Sequence, residues 1–261
     1  MIETAVEAAR IGGKILLDAF GTLDQEQIRL KGMGDYVTEL DNRSEHAIVS
    51  HIRNRFPDHS IIAEESNQDK RESPYCWLID PLDGTANYVQ GIPIFAVSIA
   101  LLKNDEVLLG VVFCPCQKEL FQAEKGKGAF LNGRKINVSP QTNMKRAMLG
   151  TGFPWKYKQN IDPYISVFKD LFTRSAGIRR MGAAAVDLAY TACGRLDGFW
   201  EMKLSPWDIG VGVLLVQEAG GVVTDFNGGC RFMETGNVVA ANPNIHRNLL
   251  EVIKRHLSHI K

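Results

Sequence analysis

The chain has 261 residues, 45% of them hydrophobic and 23% charged, the balance of a globular protein with a substantial core. Its 30 Lys and Arg residues match 30 Asp and Glu, so the formal net charge is zero. That balance excludes the basic excess of a dedicated nucleic-acid binder or a polybasic membrane-surface protein, and leaves room for a local cluster of one sign.

The first residues, Met-Ile-Glu-Thr-Ala-Val-Glu, carry acids where a signal peptide would carry bases. The longest apolar stretch, 92–102, is too short to span a bilayer and contains Pro93 and Ser98. Five cysteines make an uneven set for a disulfide framework, so free thiols in a reducing cytoplasm are expected. Cys114-Pro115-Cys116 lies between strand-like runs at 107–113 and 119–123. It reads as two thiols at a hairpin turn, because the spacing is not that of a CxxC site.

In chain order, Ala5, Ala8, Ala9, Gly12, Ile15, Leu16 and Ala19 recur at helical spacing, and Gly21 stops the run. A polar loop is expected through Lys31-Gly32-Met33-Gly34-Asp35. Thr38, with Asp41 three residues on, forms a capping-box pattern opening a helix through Ala47, Ile48 and Ile52 that ends near Pro57. Residues 60–63 and 76–79 read as short strands. From 95 to 136 the pattern is a β-meander punctuated by Asn104-Asp105, Gly126, Gly128 and Asn132-Gly133. Beyond 145, helices are expected near 165–172, at 183–193, at 209–219 and around Leu249, Leu250, Ile253 and Leu257, with strands near Ile178 and at 199–202. The halves, 1–140 and 141–261, meet at a soft boundary near 138–146. Without a linker they should share one layered core as a single compact unit.

Three acidic groups sit at the ends of apolar runs: Glu64-Glu65, Asp80-Pro81-Leu82-Asp83-Gly84-Thr85, and Trp207-Asp208. If a buried strand ends at Asp80 and Pro81 forces a turn, Asp83 returns three residues later and both carboxylates face one point. A short helix at 86–90, opened by Gly84-Thr85, offers backbone N–H groups suited to phosphate. Carboxylates beside a phosphate cradle repel the substrate unless cations lie between, which points to a hard, oxygen-ligated ion, Mg²⁺ first. Taken singly, each acid also has a plain structural reading. Asp80-Pro81 and Asp83-Gly84 are turn chemistry, Glu64-Glu65 a solvated loop pair, and Asp208 a helix N-cap. The six histidines read as solvated or packing residues.

At these residues the chain resembles the inositol monophosphatase family of Mg²⁺-dependent, lithium-sensitive phosphatases, and within it the bacterial inositol-1-monophosphatases. Glu64-Glu65-Ser66 resembles the family's first metal motif, the run from Trp77 through Asp80, Asp83 and Thr85 to Tyr88 its central signature, and Trp207-Asp208 with Glu218-Ala219-Gly220-Gly221 its C-terminal one. Gly34-Asp35-Tyr36-Val37-Thr38-Glu39-Leu40-Asp41 is similar to the segment that feeds the site. Arg179-Arg180-Met181-Gly182, Gly182-Ala183-Ala184-Ala185 and the run from Arg195 to Glu201 extend the likeness over nearly the whole chain. One departure is the spacing from Lys31 to Asp35, one residue shorter than in animal relatives.

The resemblance implies an α/β (α+β) fold of the sugar-phosphatase type, a five-layer αβαβα sandwich, usually paired as a homodimer. It implies hydrolysis of a small-molecule phosphate monoester, inositol-1-phosphate foremost, by metal-activated water. Two to three Mg²⁺ ions per site would be held by Glu64, Asp80, the Leu82 carbonyl, Asp83 and Asp208. Two divalent ions balance the four carboxylates, and a third balances an added phosphate dianion. Glu64 and Thr85 would orient and deprotonate the water, with Asp41 supporting Thr85. Asp83, Gly84, Thr85, Ala184, Glu201 and Asp208 would meet substrate, while Arg179 and Arg180 would face a neighbouring subunit or a second phosphate. The same chemistry on fructose-1,6-bisphosphate, histidinol phosphate, NADP or a 3′-phosphoadenosine nucleotide is the near alternative. A regulatory protein contacting RNA or the transcription machinery is the distant one, with nucleic acid unexpected as the main partner and no membrane contact.

Overall fold

The computed structural model describes residues 1–22, 28–32, 35–66, 73–154 and 157–257; for 28–32 and 35–37 only the backbone is described. In chain order the elements are α1 (Ile2–Ala19), β1 (Ile28–Gly32), β2 (Asp35–Thr38), α2 (Glu39–Arg53), β3 (Ser60–Ala63), β4 (Tyr75–Asp83), α3 (Thr85–Val89), β5 (Ala96–Lys103), β6 (Glu106–Cys114), β7 (Glu119–Glu124), β8 (Gly128–Leu131) and β9 (Arg134–Lys135). There follow β10 (Met148–Thr151), α4 (Ile161–Arg174), β11 (Gly177–Arg179), α5 (Ala184–Ala192), β12 (Gly198–Glu201), α6 (Pro206–Glu218), β13 (Val222–Thr224), α7 (Phe232–Thr235), β14 (Val238–Ala241) and α8 (Pro243–Leu257).

Strands β3 to β9 form a seven-stranded sheet in sequence order, antiparallel except for the β3–β4 pair. A five-stranded sheet has the order β11-β10-β12-β14-β13. Alternation along the strands sorts side chains into three cores. Trp77 and Ile79 face α1 and α2, whereas Cys76 and Leu78 face α5 and α6. In the second sheet Phe199, Val238 and Ala240 face the same central helices, while Trp200, Val239 and Ala241 face α4 and α8. The layers therefore run α1/α2, seven-stranded sheet, α5/α6, five-stranded sheet, α4/α8, the five-layer sandwich. The central layer explains the composition of α6, where 209–216 are all buried. Gly212 lets it approach α5, since a Cβ there would lie 2.5 Å from the Leu188 side chain.

The thiols behave as expected: all five cysteines are free, with Cys114 buried at the β6–β7 turn. His59 stacks between Phe56 and Tyr75 and accepts the Trp77 indole N–H at 3.1 Å, a packing role. Among the described residues no helix is long and apolar enough to cross a membrane. Within the expected polar loop at 31–35, Lys31 and Gly32 belong to β1 and Asp35 to β2, which pair antiparallel with Ile28 opposite Thr38 and Leu30 opposite Tyr36, while 33–34 lie outside the described residues. The alternation in β1, Ile28-Arg29-Leu30-Lys31, is only four residues long, and the glycines at 32 and 34 read as a loop. The side chain of Lys31 is also outside the described residues.

Candidate active site

Strand β4 does not end at Asp80. It continues to Asp83 through a bulge: Asp80 pairs with Ser98 and Asp83 with Ala96, so Pro81 and Leu82 together oppose Val97. Residues three apart on a regular strand point to opposite faces; one extra residue restores the parity and sends both carboxyls to the α5/α6 side. Pro81 thus sits in a bulge, where a missing N–H is tolerated. Gly84 follows with φ of 91°, and a Cβ there would stand 3.0 Å from the Ile94 carbonyl, so glycine alone fits the entry to α3.

A cavity of about 260 Å³ lies where β4, α3, the start of α5, the end of β12 and the start of α6 meet. Glu64, Asp80, Leu82, Asp83, Gly84, Thr85, Ala184, Glu201 and Asp208 all line it, which gathers every expected site residue except Asp41. Asp41 stands behind Thr85, whose Oγ1 lies 3.3 Å from Asp41 Oδ1 and 3.1 Å from the Leu82 carbonyl. The other oxygen of Asp41 accepts the Thr38 N–H at 2.8 Å, completing the expected capping box. Asp208 is not the N-cap of α6. Ser205 caps it, Pro206 takes the first turn, and Asp208 is the third helical residue, reaching back to accept the Ser205 N–H at 2.7 Å.

Two expected substrate contacts meet each other: Asp83 accepts the N–H of Ala184 at 3.1 Å and of Ala185 at 2.8 Å. This fixes the start of α5 against the bulge and commits the Ala184 N–H within the protein. Asp80 accepts the Leu82 N–H at 2.9 Å.

Burial dominates the electrostatics. Asp80 is pushed well above the carboxylate range by burial, Glu64, Asp83 and Asp208. Asp83 rises to about 7 through burial, against the hydrogen bond from Ala185 and with repulsion from Glu64. Burial lifts Asp41 to about 6. Glu201 rises to about 8 by burial, with Arg180 opposing and Asp208 and Asp83 adding to the rise. Among the described residues no three His, Cys, Asp or Glu side chains are drawn into a ready ion-holding cluster. The acids share a cavity, and Asp80, Asp83 and Asp208 turn oxygens to backbone N–H groups.

Sequence reasoning left Arg180 without a settled role; it is the one basic side chain among the described residues lining the cavity. It missed Asp187, buried in α5, whose Oδ1 has no hydrogen-bond partner among the described residues. Burial and then Glu201 hold that carboxyl well above its usual range. A lone acid inside the apolar run 183–193 was the available signal. It also missed Asn87, whose amide donates to the carbonyls of Ile94 and Met181 at 2.8 Å each and closes α3 against the loop before α5. Glu45 of α2, which grips the segment after Glu64, left no sequence trace.

The model of the inositol monophosphatase family matches residues 1–259. The Nus factor SuhB of Pseudomonas aeruginosa is 45% identical over 262 residues, covering 98% of this chain and 97% of the relative. The crystal structure of the extragenic suppressor protein suhB from Bartonella henselae superposes with a TM-score of 0.94 at 37% identity, over 98% of this chain and 99% of that one. An inositol monophosphatase from Anabaena gives a TM-score of 0.87 at 39% identity, over 98% and 97%.

Proposed function

The chain belongs to the inositol monophosphatase family, and on that premise we propose that it is a Mg²⁺-dependent phosphomonoesterase whose preferred substrate is inositol-1-phosphate. The observation that carries this reading is one cavity lined by Glu64, Asp80, Asp83 and Asp208 at one side and by Glu201 at another. The donor set is all oxygen and strongly anionic, which fits a hard divalent cation. Glu64, Asp80, the Leu82 carbonyl, Asp83 and Asp208 would hold two to three such ions. When bound, they supply charge neutralisation for the phosphate and acidify a water.

The protein's own groups then have defined tasks. Thr85 Oγ1 carries one proton and faces two acceptors, Asp41 Oδ1 and the Leu82 carbonyl. The Thr85 hydroxyl would donate its hydrogen bond to Asp41 Oδ1, keeping its proton and leaving a lone pair to orient the water. Glu64 takes the water's proton. The short helix α3 turns the backbone of Gly84 and Thr85 toward the phosphoryl oxygens. Glu201, with Arg180 beside it, meets the hydroxyls of a polyol.

Phosphate release by the purified chain with Mg²⁺ tests the reading. Inositol-1-phosphate should lead a panel that includes fructose-1,6-bisphosphate, histidinol phosphate, NADP and a 3′-phosphoadenosine nucleotide. Preference for the bisphosphate overturns the substrate, and full activity in excess chelator overturns the metal mechanism. Inhibition by Li⁺ is expected. Pairing into a homodimer belongs to the same reading. The exposed Ile161, Ile165 and Phe172 of α4 support it, and sedimentation tests it. A second reading, a regulatory role in transcription, is favoured by relatives that carry the name Nus factor SuhB. An Asp83→Asn variant that loses hydrolysis yet keeps a cellular phenotype would support it.

A further inference from the structure

Helix α2 reaches the site with more than Asp41. Asp41, Ser44 and Glu45 are all buried on it, and the spacings of three and four residues place them on one face. Between them they address two of the acid-bearing segments. Asp41 faces Thr85; Ser44 Oγ donates to the Pro81 carbonyl at 3.1 Å, inside the β4 bulge. Glu45 accepts the backbone N–H of Glu65 through Oε2 at 2.8 Å and that of Ser66 through Oε1 at 2.8 Å.

The choice of an acid at 45 needs a cause. Glu45 is only 5% exposed, and a buried negative charge is costly unless it is hydrogen-bonded. A neutral amide would avoid that cost. It has one acceptor oxygen, however, and would present its NH₂ to the second N–H. Only a carboxylate accepts both successive N–H groups, and such charge-assisted bonds are the strong class. The gripped residues follow Glu64 directly. On its other side the Glu64 N–H continues the ladder to the Ile79 carbonyl at 3.1 Å. The backbone of Glu64 is thereby fixed before and after.

We propose that Glu45 is a positioning residue for Glu64: its grip on the next two N–H groups sets the exit of the chain from β3 and the direction in which the Glu64 carboxyl enters the cavity. The proposal rests on the phosphatase reading above for its kinetic consequence.

The test compares the full wild-type chain with Glu45→Gln and Glu45→Ala in four measurements: amide exchange at Glu65 and Ser66, calorimetric titration with Mg²⁺ alone, kcat and KM, and Tm. For Glu45→Gln the expected result is exchange at Glu65 and Ser66 faster by about tenfold, weaker Mg²⁺ binding, and kcat lower by about tenfold with KM within about twofold. Glu45→Ala should go further in the same direction. Faster exchange with unchanged Mg²⁺ affinity and kcat overturns the proposal, as does a kcat loss that merely follows the unfolded fraction. If Glu45→Ala does not fold, Glu45→Gln decides. A wild-type chain that binds Mg²⁺ but hydrolyses nothing overturns the phosphatase reading alone, and exchange with calorimetry then decide Glu45. One that does neither overturns both.

Discussion

At one end of the cavity Asp80 and Asp83 leave the seven-stranded sheet, and among the described residues no basic side chain offsets their burial; at the other, Glu201 leaves the five-stranded sheet with Arg180 opposing its rise. The first end is anchored by backbone: Asp83 holds two N–H groups of α5, Asp80 one of its own bulge, and Asp208 one at the start of α6. The second is anchored by side-chain charge and by space. The one basic side chain among the described residues lining the cavity, Arg180, stands at the second end. On the proposed function, that difference would put chemistry on the seven-stranded side and recognition on the five-stranded side.

The largest expected effect breaks the first end. Asp83→Asn removes a charge that a divalent ion needs, so kcat/KM should fall by about 10³-fold or more. The amide can accept only one of the two N–H groups, so a stability loss of about 1–3 kcal/mol should accompany it, read as a lower Tm. A Glu201→Gln loss of equal size in phosphate release would erase the distinction between the ends.

A smaller effect concerns the space at the second end. A Cβ on Gly152 would fall 1.8 Å from Glu201 Oε1 and 2.0 Å from its Cδ, so Glu201 occupies room that only glycine leaves. Gly152→Ala must displace that carboxyl. KM for a polyol phosphate should rise about tenfold, with kcat changed less than about threefold. An aryl phosphate without hydroxyls should be hydrolysed as before; equal damage to both substrates would show that Glu201 serves the chemistry.

How far this was legible in the sequence follows the same division. The acids of the first end lie within short motifs, and Asp80, Asp83, Glu64 and Asp208 could be gathered from them. The bulge that aims them could not, because a proline between two strand residues reads as a turn. The second end depends on register. Gly152 and Glu201 approach because β10 pairs with β12, with Thr151 opposite Trp200, and β10 is four residues long without a pattern of its own. Strands β13 and β14 escaped notice for the same reason. Glu45 acts on backbone N–H groups, which have no residue identity to match. The central helix α6 was legible as a helix, but its burial on every side shows only once both sheets are in place.

Titration separates the ends by a few degrees of Tm. Asp41 near 6, Asp83 near 7 and Glu201 near 8 all lie above the ordinary carboxylate range. In the metal-free chain the native state keeps protons that the unfolded state has released, so stability should fall as pH rises from about 4 through about 8. Mg²⁺ should flatten the part due to Asp80 and Asp83 and leave the part due to Glu201. A metal-free Tm that climbs between pH 5 and 8, or a slope that Mg²⁺ leaves untouched, would contradict the assignment.

The smallest effect tests whether chemistry and packing separate within one residue of the first end. Leu82 turns its side chain into the core beneath α1 and α2, beside Ala63, Ile79 and Tyr88, while its carbonyl accepts from Thr85 Oγ1. Leu82→Ile keeps the volume, and a β-branched side chain suits a strand, so the cost should stay under about 1.5 kcal/mol. Because only the carbonyl enters the chemistry, kcat should stay within about twofold and Mg²⁺ affinity should not change. A tenfold loss of kcat at unchanged Tm would show instead that side-chain shape in the outer core steers the carbonyl, and that the bulge is held from behind as firmly as it is held by the N–H groups in front.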